Sequence, residues 1–360
     1  MVIELLNKSA FADLFFIKSE VLVIYNDMNK LIINTKNLRQ NIKKAKQMCK
    51  NRLCLVAKAD CYGIGIENIV PFVDDLVASY AVAKVSEGKA LRDFTNKDIL
   101  VLGAFDGEDI ASAEVCDLTL SVYNFESLKL LVASGRNINI HIKVNSGMNR
   151  LGFGLKDLER VKDIVSKSKL RVKGIYSHIY NNLSISSTLE QKNIFDKAIE
   201  MFDKDIIKHL SSTGGIGTIS GYDMTRLGIG AYGGFGYNKV VSIYSKVAQV
   251  NELTPGDKVG YDGTYVAKEH TKVATIPLGY YDGVPLALQG GYVYIGGKKC
   301  EVVGRVCMDM FMCRVDNDVK VGDIVKVLWD TKYWAKLKGT HEWEILTSLK
   351  RNRLQVVFRS

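Results

Sequence analysis

At 360 residues the chain has room for a barrel-sized domain and a second, smaller one. Its 47% hydrophobic and 24% charged residues give a globular composition, which excludes a disordered or collagen-like chain. The net charge of +10 is spread over helix faces such as 41–50 and forms no aromatic-studded basic tract, so nucleic-acid binding is not expected.

The seven cysteines form no CxxC pair and lie mostly in apolar runs, the pattern of reduced core thiols in a cytoplasmic protein with neither disulfides nor a metal site. No apolar run approaches the ~18 residues of a membrane span. Lys8, Asp13 and Lys18 interrupt the apolar content of residues 1–28, so this N-terminal extension, whose role is not readable, is not expected to be a cleaved signal peptide.

From Lys30 the chain reads as a short strand ending at Asn34, then a lysine-rich helix from Thr35 to Cys49 with Leu38, Ile42 and Ala45 at helical spacing. One theme then repeats: a short apolar strand ends in small or polar residues, and an amphipathic helix follows. The strand ends are LCLVAK (Lys58), YAVAK (Lys84), ILVLG (Gly103), LTLSV (Val122), HIKVN (Asn145), GIYSH (His178), IIKHLSS (Ser212) and TRLGIG (Gly230). Eight such units predict a (β/α)8 barrel over 29–240, because parallel strands need crossover helices and that number closes a sheet without edges. A doubly wound open sheet is the alternative, disfavoured because no GxGxxG follows the first strand. Loops after barrel strands share one face, which would gather Lys58, Asn145, His178, Ser212 and Arg226.

Near Val240 helical periodicity gives way to short β-rich runs with turn signals such as Thr254-Pro255-Gly256-Asp257, which predicts a mainly β domain over 241–360.

Lys58 stands out. It closes an apolar strand just before a glycine-punctuated turn, where desolvation lowers an amine toward the range in which it acts as a nucleophile or base. A lysine snorkelling to solvent is the plain alternative. The residues around it, Val56-Ala57-Lys58-Ala59-Asp60-Cys61-Tyr62-Gly63, resemble the VKANAYGHG signature at the cofactor lysine of the alanine racemase family, the fold-type III pyridoxal-phosphate enzymes. Four further blocks keep that family's order: KVNSGMNRLGF, RLGIGAYGG, IPLGYYDG and VGRVCMDM. The resemblance covers roughly residues 30–358.

This resemblance implies a pyridoxal-phosphate amino-acid racemase. Lys58 would hold the cofactor, and Tyr62, Thr213, Gly228 and Ile229 would cradle its phosphate. Arg226 would face the pyridine nitrogen, to which a guanidinium can only donate. Inverting a carbon centre calls for a base on each face, and Tyr261 matches the family's second base opposite Lys58, with Tyr265 the alternative by position. A phenol ionises near pH ~10, so it needs positive neighbours; His178, beside the cofactor, and Arg150, beside the substrate, are implied. Tyr280, Met308 and Asp309 match residues lining the mouth and the substrate carboxylate site. Lys143 matches a lysine carbamylated in many members, although Asn145 replaces the usual aspartate nearby.

In the family Tyr261 and the CMD loop reach the other subunit's barrel, which implies a homodimer with shared sites acting on a small-molecule substrate. The implied function is interconversion of L- and D-alanine, supplying peptidoglycan in a bacterium. A serine or broad-specificity racemase and a non-catalytic pyridoxal-phosphate-binding protein are the alternatives.

Overall fold

The computed structural model describes residues 28–360, so the expectations for the N-terminal extension lie outside the described residues, apart from Met28. The eight apolar runs form eight parallel strands: β2 (Arg52–Val56), β3 (Ser79–Val82), β4 (Asp98–Val101), β5 (Leu118–Val122), β6 (Asn139–Lys143), β7 (Arg171–Tyr176), β8 (Ile207–His209) and β9 (Met224–Leu227). They pair in sequence order from β2 to β8, and β9 returns to lie beside β2. A bridge between Ser212 and Arg226 closes β8 against β9, with the Arg226 N–H donating to Ser211 O at 3.1 Å. A barrel results, as the strand count predicts.

Strand alternation decides what fills it. Leu53 and Leu55 join the large core between sheet and helices, whereas Cys54 and Val56 join Ala81, Leu100 and Met224 in a small separate cluster. Polar side chains are buried as well, among them Ser121, His141, Lys143, Ser177, His209 and Arg226. Such groups stay buried only when their hydrogen bonds are satisfied.

The strand read ahead of the barrel, β1 (Lys30–Asn34), sits in the second sheet. It runs antiparallel to β10 (Val241–Lys246) and parallel to β19 (Gln355–Arg359). Asn34 then caps the helix Thr35–Cys49, its Oδ1 accepting from Asn37 N–H at 2.7 Å. That helix buries Leu38, Ile42 and Ala45, and its Asn41 donates to Ala231 O and Asn238 O beyond β9.

The second sheet has nine strands. It also holds β11 (Gln249–Leu253), β14 (Thr271–Ile276), β15 (Tyr292–Ile295), β16 (Lys298–Val303), β17 (Phe311–Val315) and β18 (Ile324–Leu328), in the order β11-β14-β17-β16-β15-β18-β10-β1-β19. A separate hairpin, β12 (Lys258–Val259) with β13 (Tyr265–Val266), carries Tyr261 in its connecting turn. No helix among the described residues is long and apolar enough to cross a membrane.

Because β1 supplies an interior strand, between β10 and the edge strand β19, to one domain and leads directly into a helix on the other, its packing should matter to both. Ile33 is fully buried, with Val241 and Phe358 as its register partners. Replacing Ile33 by Ala is expected to cost about 2–5 kcal/mol, measured as a lowered urea midpoint at unchanged slope.

Candidate functional site

Arg226 lies at the centre of the barrel mouth, 3% exposed. The surface ion pair with Asp223 that its sequence position allows does not form; Asp223 accepts instead from Lys208 N–H at 2.8 Å. The guanidinium donates through Nη1 to His209 Nδ1 (2.5 Å) and His209 O, and through Nη2 to Ser177 O (2.7 Å) and Leu210 O. Its Nε makes none of the hydrogen bonds found among the described residues.

A guanidinium cannot accept, so His209 Nδ1 must be the acceptor and its Nε2 carries the proton. That proton is donated onward to His141 Nδ1, 2.8 Å away. Tyr176 stacks on His209 with ring centroids 4.8 Å apart, and its hydroxyl lies 2.7 Å from Ser121 Oγ. Burial first, and the Arg226 charge second, hold His141 down to about 3 and push His209 the same way. His178, 3.5 Å from Arg226 Nη2, is held down to about 2 by the same two causes, with Lys143, Arg150 and Lys58 adding to them.

Lys143 ends β6 with its Nζ 4.2 Å from the centroid of the Tyr176 ring. Desolvation, then Arg226 and Arg150, lower its pKa well below the ordinary lysine value. Asn145 ties the following loop by accepting from Gly147 and Asn149 N–H.

Lys58 follows β2 and reaches the same mouth, its pKa lowered by desolvation and by Arg150 against the opposing charge of Glu87. The turn after it is not made by glycine. Ala59, Asp60, Cys61 and Tyr62 all take left-handed conformations, with φ of 52°, 54°, 53° and 58°. Each non-glycine residue there costs about 1–2 kcal/mol. The turn is held by Cys61 N–H donating to Ala57 O (3.0 Å), Gly63 N–H to Ala59 O (2.7 Å) and Ala59 N–H to Glu87 Oε1 (2.8 Å).

The turn aims the Tyr62 hydroxyl at Gly228. A Cβ on residue 228 would lie 2.5 Å from that oxygen, so any larger residue there would push the Tyr62 hydroxyl aside. Thr213 Oγ1 accepts from Gly228 N–H at 3.0 Å, while the neighbouring Ile229 N–H appears in none of the hydrogen bonds among the described residues. Two hydroxyls and a glycine-lined turn thus converge beside Lys58, an arrangement suited to an anion.

The mouth therefore gathers Lys58, Tyr62, Lys143, Arg150, His178, Thr213, Arg226, Gly228 and Ile229. Tyr261, Tyr280, Met308 and Asp309 lie on the second domain. Tyr280 N–H donates to Cys307 O and Tyr281 N–H to Met308 O, so IPLGYYDG and VGRVCMDM form one unit. Asp262, next to Tyr261, pairs with Arg305 at 2.8 Å. Tyr261 is 68% exposed, and Met308 and Tyr280 are exposed too.

Residues 33–235 match the family model of the alanine racemase N-terminal domain, and residues 240–358 that of the alanine racemase C-terminal domain. The chain belongs to the alanine racemase family. An alanine racemase of Fusobacterium nucleatum is 32% identical over 350 residues, spanning 90% of this chain and 98% of that one. Another, from Lactococcus lactis, is 30% identical over 358 residues, spanning 91% and 97%. The solved structure of an alanine racemase from E. faecalis superposes with a TM-score of 0.88 at 25% identity, covering 94% of this chain and 100% of that one.

Within this family member, His141 and His209 escape motif reading, since neither stands in a signature block. The usable signal was alternation: His141 and Lys143 stand two apart on β6 and share the barrel-facing side. Glu87 and Arg351, which brace the Lys58 turn, carry no local signal at all.

The neutral histidines fix the sign of a pH dependence. Unfolded, they take up protons near pH ~6.5; folded, they do not until far lower pH. Their contribution is full above about pH 6.5 and is lost as pH falls from there, at up to ~1.4 kcal/mol per histidine per pH unit. Thermal melts should give a Tm plateau above about pH 6.5 and a steep fall below it; a flat profile would mean that these histidines take up protons as readily in the folded chain as in the unfolded one.

Proposed function

We propose that this chain is an alanine racemase that interconverts L- and D-alanine with pyridoxal phosphate held at the barrel mouth. The observation that carries the reading is the meeting of Lys58, whose pKa is lowered, with an anion cradle and with a buried guanidinium whose Nε makes none of the hydrogen bonds among the described residues. These residues fit the cofactor. Lys58 would hold its aldehyde carbon, Tyr62, Thr213, Gly228 and Ile229 its phosphate, and Arg226 its pyridine nitrogen, with His178 beside it. Bound there, pyridoxal phosphate supplies an electron sink that acidifies the Cα–H of the amino acid.

The chain's own residues then move the proton. Lys58 Nζ takes it from one face of Cα, and Tyr261 Oη delivers its proton to the other; the roles reverse for the other enantiomer. Arg150 orients the substrate, and Met308, Asp309 and Tyr280 line its approach. Tyr261 points outward on its hairpin, so we assign it to the mouth of a second copy, with a homodimer as the active unit. Exposed Tyr261, Met308 and Met310 on one domain, and Tyr180, Leu183 and Ile185 after β7 on the other, support that reading. A protein that merely bound the cofactor would have no use for Tyr261. The seven free cysteines suit a reducing compartment, and we place the enzyme in the cytoplasm, supplying D-alanine to peptidoglycan.

Lys143 we assign as a carbamate. Its neutral amine attacks the carbon of carbon dioxide, an N–C bond forms as one C=O π pair moves onto oxygen, and the N–H proton leaves to solvent; the positive charges of Arg226 and Arg150, which disfavour the ammonium, favour the resulting anion. Isotope-labelled bicarbonate should give a carbamate carbon resonance that Lys143→Ala abolishes.

Incubation with L-alanine, L-serine and L-lysine, followed by chiral chromatography with and without added cofactor, tests the whole reading. Cofactor-dependent D-alanine is expected, and Tyr261→Phe should lower its rate by at least about 10²-fold while cofactor absorbance stays. Gly228→Ala, which displaces the Tyr62 hydroxyl, should weaken cofactor binding about 10–100-fold. Retained activity in Tyr261→Phe would remove the tyrosine from the mechanism.

A further inference from the structure

The left-handed turn that carries Lys58 is also gripped from outside the barrel. Arg351 Nε donates to Asp60 Oδ2 at 3.1 Å, Nη2 reaches the same oxygen, and Nη1 reaches Glu67 Oε1. The other Asp60 oxygen accepts from Ile66 N–H at 2.8 Å, and its main-chain carbonyl accepts from Gly65 N–H at 2.9 Å. Asp60 therefore links the left-handed turn, the start of the helix Ile66–Val73 and a side chain 291 positions away.

Arg351 is itself well placed to act as a fixed point. It opens a short turn, Arg351–Arg353, whose Arg353 donates to Asp282 at 2.6 Å and Asp309 at 2.8 Å. Asp282 is 2% exposed, and its carbonyl accepts from Lys350 N–H. The helix Glu342–Ser348 presses on the same place, because a Cβ on Gly63 would lie 2.7 Å from Leu346 O. The second domain thus holds the turn at Asp60 and Gly63 and the following helix at Glu67.

We infer that Arg351 is a positioning residue for Lys58, holding Asp60 and Glu67 so that the strained turn keeps the Lys58 amine aimed into the barrel mouth. The physical reason is that a run of left-handed non-glycine residues relaxes unless its surroundings over-determine it. Lys58 immediately precedes that run, so relaxation moves its side chain first. The pair is partly exposed, with Asp60 at 41% and Arg351 at 31%, so its loss should touch global stability little. Small displacements of a reacting group cost rate steeply. The grip also joins the Lys58 turn to the Met308–Asp309 loop through Arg353.

This inference rests on Lys58 being the reactive lysine of a racemase. Its test uses Arg351→Gln, Arg351→Lys and Asp60→Asn in the full-length, cofactor-loaded enzyme. Three quantities are read: kcat and KM by chiral assay, the pH midpoint of the bound cofactor's visible absorbance, and Tm. Arg351→Gln is expected to lower kcat about tenfold with KM changed less than about twofold, to shift the absorbance midpoint, and to leave Tm nearly unchanged. Arg351→Lys should recover part of kcat, Asp60→Asn should match Arg351→Gln, and the double variant should add nothing further. An unshifted midpoint, or a kcat loss that merely follows a lowered Tm, overturns the proposal. If the wild type binds cofactor but racemises nothing while the midpoint still shifts in Arg351→Gln, the positioning role stands and the racemase reading falls. A wild type that binds no cofactor overturns both.

Discussion

A permanently charged guanidinium sits inside a barrel with no carboxylate among the described residues pairing with it. Arg226 is 3% exposed, and none of the ion pairs among the described residues includes it. Such a group survives burial only if its hydrogen bonds are made. Carbonyls of Ser177, His209 and Leu210 and the His209 ring provide them at two of its three nitrogens. Added to burial, the larger cause at each, its field lowers His141, Lys143, His178 and His209 further and favours the ionised forms of Tyr176 and Cys54. Burial first, and the Arg226 charge second, keep three imidazoles neutral; Arg226 also sets the proton order of the His209–His141 pair and leaves the mouth electropositive. An anion is the natural complement.

A second constraint is mechanical. Lys58 enters the mouth from a turn that its backbone would not hold alone, and the residues that hold it come from two domains. Glu87 grips from the barrel, while Arg351 and the helix Glu342–Ser348 grip from the second domain. The strand β1 strengthens the same union, adding a strand between β10 and β19 of the second sheet before the chain enters the helix that lies on the barrel. The second domain thus braces the Lys58 turn of its own chain, a role separate from the one proposed for Tyr261.

Much of this was legible in order along the chain. Eight apolar runs with intervening helical patterns led to the barrel, because strand burial and helix amphipathicity are written in near neighbours. Lys58, Arg226, Gly228 and Tyr261 were reachable through short motifs. The placement of β1 was not, since an apolar run does not say which sheet it will join. Nor was the left-handed turn, for Ala59-Asp60-Cys61-Tyr62 has no local preference for it.

The sequence by itself determined the architecture, the family and the set of side chains offered to the barrel mouth, all of which depend on residues within a few positions of one another. Tertiary structure decided what those side chains are there: that the histidines are neutral, that His209 presents Nδ1 to Arg226, that Lys143 loses its ordinary basicity. It also decided that Asp60 is held by a residue 291 positions later. Protonation, tautomer and strain depend on what lies within a few ångströms in space, and that neighbourhood exists only once distant parts of the chain have met.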